Sequence, residues 1–257
     1  MDEGSLEHDA WIAVRDGQVV AYVRARRERD LANLEDESCV HPDARGQGLG
    51  WELLDRAEAW ARERGLRRLH AHVVNENGRR LLRDRGHELV RYFWRMEIEL
   101  AEPPAEPESP EAFEIRAYRP GDDDVGLHAM HQESFSEHWE FTPEPFDRWL
   151  SWRTGRSDYA PELWRVALAG DDVVGAALCF GERNLGWVLD LAVAPRARRH
   201  GLGLALLRSG FRALAERGHT HVGLEVDSEN ESGATRLYER AGMHVTRRYA
   251  TYEKRLA

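Results

Sequence analysis

The chain has 257 residues, 42% hydrophobic and 32% charged, with a formal net charge of −10. That length holds one large or two modest domains, each able to bury a core, in an ordinary globular composition. The acidic balance argues against a nucleic-acid binder, which needs a basic surface, and no apolar run approaches a membrane span. The start, Met1-Asp2-Glu3-Gly4, lacks the basic and apolar regions of a signal peptide, so a cytoplasmic protein is expected. Cys39 and Cys179 both fall in apolar strand-like runs and read as buried free thiols; no metal site is expected.

Trp11 to Arg15, Asp16-Gly17 and Val19 to Val23 read as a hairpin around a turn. The run Arg24 to Arg29, with four arginines, is most simply a solvated strand end. Leu34 to Val40 reads as a strand feeding the loop Val40-His41-Pro42-Asp43-Ala44-Arg45-Gly46-Gln47-Gly48-Leu49-Gly50. Leu49, Leu53, Ala57 and Trp60 stripe one face of the following helix, which Gly65 ends. Arg68 to Val74 predicts a strand, Asn77 to Asp84 a short helix, and Glu88 to Leu100 one or two strands. Residues 101–112, rich in glutamate and proline and nearly devoid of apolar side chains, predict an extended linker.

Beyond it, Phe113 to Tyr118 reads as a strand and Asp122 to Phe135 as a helix. An aromatic stretch follows: Phe135, Trp139, Phe141, Phe146, Trp149 and Trp152. It is core by default and a substrate lid in a sharper reading, with Glu137 and Glu140 able to receive a cationic amine. Strands are expected over Leu163 to Leu168, Val173 to Phe180 and Val188 to Val193. Then comes Ala194-Pro195-Arg196-Ala197-Arg198-Arg199-His200-Gly201-Leu202-Gly203, with Leu202, Ala205, Leu206, Ser209 and Ala213 at helical spacing. This places Gly201 and Gly203 in the first helical turn. A helix N-terminus offers unpaired N–H groups and partial positive charge, and glycines let an anion approach. The pattern suits a pyrophosphate, while lacking the Gly-Lys-Ser/Thr end of a P-loop and the GxGxxG dinucleotide spacing. His221 to Val226 reads as a strand. Ser228-Glu229-Asn230-Glu231 has capping-box spacing for a helix through Ala234 and Tyr238, and Met243 to Arg255 gives the last strands.

The two loops are one motif, 153 residues apart from Gly48 to Gly201, and the register holds from Leu53/Leu206 to Glu63-Arg64-Gly65/Glu216-Arg217-Gly218. Two copies of one domain follow.

The pattern Arg198-x-x-Gly201-x-Gly203 after a Val-x-Pro strand end resembles the acyl-CoA loop of the GCN5-related N-acetyltransferase (GNAT) family. The series Asn230…Ala234…Leu237-Tyr238…Gly242 is similar to that family's Asn–Ala–Leu-Tyr–Gly helix. The resemblance covers nearly the whole chain and implies an α/β fold of two tandem GNAT-like domains. Each would be a mixed, mostly antiparallel sheet flanked by helices. Residues 1–100 would form a truncated, degenerate copy and 113–257 the complete, catalytic one, as in tandem two-domain members similar to mycothiol synthase. Mycothiol synthesis itself is not implied, because nothing in the sequence fixes the acceptor.

The resemblance implies acetyl-CoA as cosubstrate and direct attack by an amine of a small molecule. Leu191, Ala192 and Val193 would pair with its pantetheine arm through their backbone. Arg198, Arg199, His200, Gly201, Leu202, Gly203 and Leu204 would hold the pyrophosphate, and Asn230 would touch the arm. Tyr238 would protonate the departing thiolate. In the first copy, Ser38, Val40, Arg45, Gly46, Gly48, Leu49 and Gly50 stand in the corresponding places. Leu81-Leu82 occupies the place of Leu237-Tyr238 there, and leucine has no proton to donate. Asp190, Glu225 and His138 are candidates for the base that deprotonates the amine. Cover for the short first copy would come from the second domain or another subunit, which leaves a homodimer open. The reading from another class is a CoA-binding regulatory or scaffolding protein without turnover.

Overall fold

In the computed structural model, residues 9–35, 38–182, 184–230 and 233–256 are described. The first half carries β1 (Ala10–Arg15), β2 (Gln18–Glu28), β3 (Leu31–Leu34), β4 (Cys39–Val40), α1 (Leu49–Glu63), β5 (Arg68–Val73), α2 (Glu76–Asp84) and β6 (Glu88–Glu99). The second half carries β7 (Glu114–Ala117), α3 (Asp124–Phe135), α4 (Phe146–Thr154), β8 (Arg165–Ala169) and β9 (Asp172–Glu182). It continues with β10 (Leu185–Val193), α5 (Leu202–Glu216), β11 (His221–Asp227), α6 (Ala234–Arg240) and β12 (His244–Arg255). Residues 101–112 carry neither helix nor strand.

The chain divides into two compact units. Unit 1 runs to Phe93 and adds Asp227–Glu229 and the chain from Arg247; unit 2 is Trp94–Val226 with Asn230–Thr246. The division passes through β6 rather than through the proline-rich segment. The last strand of the chain pairs antiparallel with β5 inside unit 1, Ala250 opposite Val73 and Arg255 opposite Arg68. In unit 1 the strand order is β1-β2-β3-β5 and then β12 from Arg247 on; in unit 2 it is β6 from Trp94 on and then β11-β10-β9-β8-β7. The pairings are mostly antiparallel; β3 with β5 and β10 with β11 are parallel.

Local sequence accounts for these elements. Asp16 (φ +50°) and Gly17 (φ +77°) close the β1–β2 hairpin with both central residues left-handed, which matches the twist of the flanking strands. α1 and α5 each bury one apolar stripe, and Gly65 (φ +67°) and Gly218 (φ +88°) follow their C-termini in the conformation glycine adopts most readily. Each unit has its own core. Leu54, Ala57, Trp60, Leu69 and Tyr252 belong to the first; Leu127, Trp149, Phe180, Leu206, Phe211 and Leu214 belong to the second.

Three expectations need correction. The strand over Leu34 to Val40 is two short pieces, β3 and β4. Cys39 is exposed, and only Cys179 is buried, its thiol pushed up to about 12 by burial. The helix expected from a capping box over Ser228 to Glu231 starts only at Ala234, behind Gly233 (φ +78°). Glu231 lies outside the described residues, and Asp227 Oδ1 accepts the Glu229 N–H at 2.9 Å instead.

The repeats also differ inside. Phe211 and Met243 of the second core correspond by register to Glu58 and His87 of the first, both buried. Lys254 Nζ donates to both Glu58 oxygens at 2.7 and 2.8 Å, so the buried carboxylate keeps a partner. Burial pushes the His87 imidazole down to about 4, against the pull of the Glu58 charge, so it is uncharged at neutral pH.

Candidate active site

The two loops have one backbone conformation. Pro42–Ala44 and Pro195–Ala197 are single 3-10 turns, entered through His41 (φ −51°, ψ 138°) and Ala194 (φ −52°, ψ 139°). Arg45 and Arg198 follow, both extended at φ −70°, and each turns its Nε back to the strand end, on Val40 O at 3.2 Å and Val193 O at 3.1 Å. Gly46 (φ +73°) is matched by Arg199 (φ +68°), and Gly48 (φ +86°) by Gly201 (φ +81°). Gly48 and Gly201 are the N-caps of the two helices, so Gly201 precedes the first turn in which it was expected while Gly203 lies within it, and neither helix start has a side-chain cap. The first N–H groups of α5, from Leu202 and Gly203, therefore point out of the helix unclaimed by a capping side chain. Leu204 N already donates to Gly201 O at 3.1 Å. The Arg198 guanidinium also bonds Ser134 O at 3.1 Å, so it braces the loop from within, while Arg199 and His200 are exposed.

Small residues at the second helical position admit a neighbour. A Cβ on Gly203 would stand 2.9 Å from Leu237 Cδ1, and one on Gly50 would stand 3.1 Å from Leu81 Cδ2. Leu81 and Leu237 thus occupy one place, so Leu82 stands where Tyr238 does, and both are buried. Burial, with the negative charge of Asp190 adding to it, pushes the Tyr238 phenol up to about 12, so it holds its proton at neutral pH.

β10 is the strand that leads to the loop. It pairs with β11 at Leu185–His221, Gly186–Val222 and Trp187–Gly223; both strands run on past this three-residue ladder. On its other edge β10 stays paired with β9, Leu191 opposite Ala177 and Val193 opposite Gly175. The edge of Leu191, Ala192 and Val193 turned toward β11 is where an extended chain could add by backbone hydrogen bonds. β3 and β5 repeat the pattern, with a ladder ending at Asn33–His70.

A bulge at Leu189 re-aims the strand: Val188 lies opposite Cys179, but Asp190 lies opposite Leu178. Cys179 faces α5, since its Sγ would stand 2.9 Å from a Cβ on Gly210. Trp187 and Asp190 therefore share the opposite face, toward α3 and α4. Gly223 lies under Trp187, whose ring would be 2.6 Å from its Cβ, and Glu225, two residues on, projects from the same side and is exposed. Arg95 stacks over Trp187 at 4.8 Å.

Asp190 joins a network that the sequence did not single out. Arg153 on α4 donates to its Oδ2 from Nε at 3.1 Å and from the terminal nitrogen at 2.9 Å, and His131 Nε2 on α3 lies 3.4 Å from the same oxygen. Trp149 Nε1 donates to His131 Nδ1 at 3.2 Å, and the Arg153 terminal nitrogen, which also can only donate, lies 3.2 Å from His131 Nε2, so the imidazole is held between the indole and the guanidinium beside Asp190. The Trp149 ring carries Arg153 on its face at 4.4 Å. Burial raises the Asp190 carboxyl, but the Arg153 charge and the His131 hydrogen bond outweigh it and hold the group well below the usual carboxylate range. The available signal was charge on apolar faces: Asp190 interrupts a strand, His131 lies beside Leu127 and Met130 on α3, and Arg153 follows Trp149 by one turn. His138 is half-buried and stacks edge-on against Phe135 at 4.5 Å. Asn230 lies after β11, four residues before α6.

Two loops of one conformation, each after a strand that leaves its parallel neighbour, define an acyltransferase architecture present twice. The model of the acetyltransferase (GNAT) family matches residues 2–86 and 126–243, and the chain belongs to that family. It is an N-acetyltransferase. A mycothiol acetyltransferase of Streptomyces scabiei is 35% identical over 221 residues, 84% of this chain and 68% of that protein. A GCN5-related N-acetyltransferase from Sphaerobacter thermophilus superposes with a TM-score of 0.89 at 33% identity, over 99% of this chain and 83% of that one. A tandem GNAT protein from the clavulanic acid biosynthesis pathway shares the fold, with a TM-score of 0.75 at 17% identity over 97% of this chain and 83% of its own. Among the described residues no helix is long and apolar enough to cross a membrane.

Enzymes of this family generally use acetyl-CoA, and the residues present fit it. The uncapped N-terminus of α5, opened by Gly201, suits a diphosphate, and the β10 edge suits an amide-bearing arm.

Proposed function

We propose that the chain moves an acetyl group from acetyl-CoA to a primary amine of a small molecule, and that the second repeat, 113–257, carries the reaction. Backbone groups of Leu191, Ala192 and Val193 would receive the pantetheine arm. Those of Arg199, Gly201, Leu202, Gly203 and Leu204 would hold the diphosphate, with His200 and Arg198 framing the loop and Asn230 near the arm. Acetyl-CoA supplies the activated thioester. As the amine nitrogen bonds to the carbonyl carbon, the carbon–sulfur bond breaks, and the Tyr238 phenol gives its proton to sulfur. The nitrogen releases its surplus proton toward Glu225, exposed on the face of Trp187 and Asp190 and in reach of solvent that restores the phenol. His138 and Phe135 would wall the acceptor side.

The observation that carries this reading is the pairing of an open phosphate cradle with a buried, protonated Tyr238, next in sequence to the Leu237 that packs on Gly203. Relatives named mycothiol acetyltransferases support a small-molecule acceptor. The first repeat keeps the cradle of Ser38, Val40, Arg45, Gly46, Gly48, Leu49 and Gly50 but has Leu82 for the tyrosine, which supports binding without turnover. The test is thiol release from acetyl-CoA across a panel of primary amines, with the N-acetyl product identified by mass. Release above background with at least one amine is expected; background rates with all of them, from a folded protein that binds acetyl-CoA, would leave the non-catalytic reading.

A further inference from the structure

Resting on the second repeat being the transferase, we infer that Asp190 binds the acceptor's ammonium group through Oδ1, and that Arg153 and His131 are positioning residues that present it. Three nitrogens of the network converge on Oδ2. Among the described residues no side chain is recorded on Oδ1. The Asp190 side chain retains 14% exposure against 7% for Arg153. The bulge at Leu189 turns this residue to the α3–α4 side, and its charge is felt at the Tyr238 phenol, where the leaving sulfur is to be protonated.

Chemistry sets the division of labour. A carboxylate pinned by a guanidinium, with an imidazole nitrogen beside it, is a weak proton acceptor but a good fixed anion. The seated ammonium first gives one proton to solvent by way of Glu225; Asp190 then orients the neutral amine and opposes the positive charge that grows on nitrogen during attack, and the second proton leaves by the same route. Arg153 cannot lose its charge, and its stacking between Trp149 and Trp152 (4.4 and 5.3 Å) fixes the plane of the fork. The acceptor class is therefore a cationic primary amine.

The test uses the full chain with tyramine, glucosamine and spermidine as probes, and separates kcat from the two KM values. Asp190→Asn is expected to raise the amine KM about tenfold to a hundredfold, the loss of one charge-assisted hydrogen bond, with the acetyl-CoA KM unchanged. Arg153→Met should do the same, and Arg153→Lys should restore part of the loss. The double variant Asp190→Asn/Arg153→Met, which leaves no buried charge unpaired, should be no worse than Asp190→Asn alone. An unchanged amine KM in Asp190→Asn, or full additivity in the double variant, overturns the inference while leaving the transferase reading intact. Failure of the unaltered chain to acetylate any of the three probes overturns the inferred acceptor class, and background thiol release across the whole amine panel overturns the transferase reading as well.

Discussion

Tyr238→Phe is expected to lower kcat about a hundredfold or more while leaving the dissociation constant of acetyl-CoA where it was. The substitution removes one oxygen from a buried ring and keeps the apolar contacts that fit it behind Leu237. What disappears is the phenol proton, which burial and the Asp190 charge hold more tightly than in an ordinary tyrosine. Single-turnover kinetics, which isolate the chemical step from product release, would show the loss directly. An unchanged single-turnover rate would remove Tyr238 from the reaction. Leu82 makes the comparison internal to the chain: the first repeat has the same helix placement without the hydroxyl.

Trp149→Ala carries the second large effect, and it falls first on stability. The ring is fully buried, packs edge-on against His128 and His131, and lies beneath the Arg153 guanidinium. Truncating it leaves a cavity and leaves His131 Nδ1 without its indole donor, at a cost of about 3–5 kcal/mol. For a domain of this size that is a fall of about 10 °C in Tm, measurable by calorimetry. Surviving folded protein should show a raised amine KM, because α4 then holds Arg153 less firmly. A Tm within a degree or two of the parent would mean that α4 and α3 do not depend on this ring.

Much of this could be read from residues alone, for physical reasons that differ by element. The loops were legible because positive φ selects glycine and a 3-10 entry selects proline, so Pro42, Gly48, Pro195 and Gly201 record the backbone in their identities. Tyr238 was legible through its spacing from Gly242 and through its replacement by Leu82. The pairing of the last strand with β5 was not, because β12 is a twelve-residue run whose alternation fixes a face but names no neighbour. Cys39 was misplaced because Leu34 and Val40 suggested one continuous strand, whereas Glu35-Asp36-Glu37-Ser38 lies between them and β3 and β4 are two pieces. The Arg153–Asp190–His131 network stayed hidden because its members come from two helices and a strand, and a bulge at Leu189 decides which face Asp190 takes. Alternation without that bulge would have put Asp190 on the face of Val188, against α5.

The claim that the second repeat is the working one is tested most directly by acetyl-CoA turnover in Gly201→Glu set beside Gly48→Glu. Both glycines sit at nearly the same left-handed φ with open space around them, so the two substitutions carry the same backbone strain and place the same negative charge at a helix N-terminus. The account predicts that Gly201→Glu abolishes amine acetylation and Gly48→Glu leaves it largely intact. Persistent turnover in Gly201→Glu, or its loss only in Gly48→Glu, would contradict it.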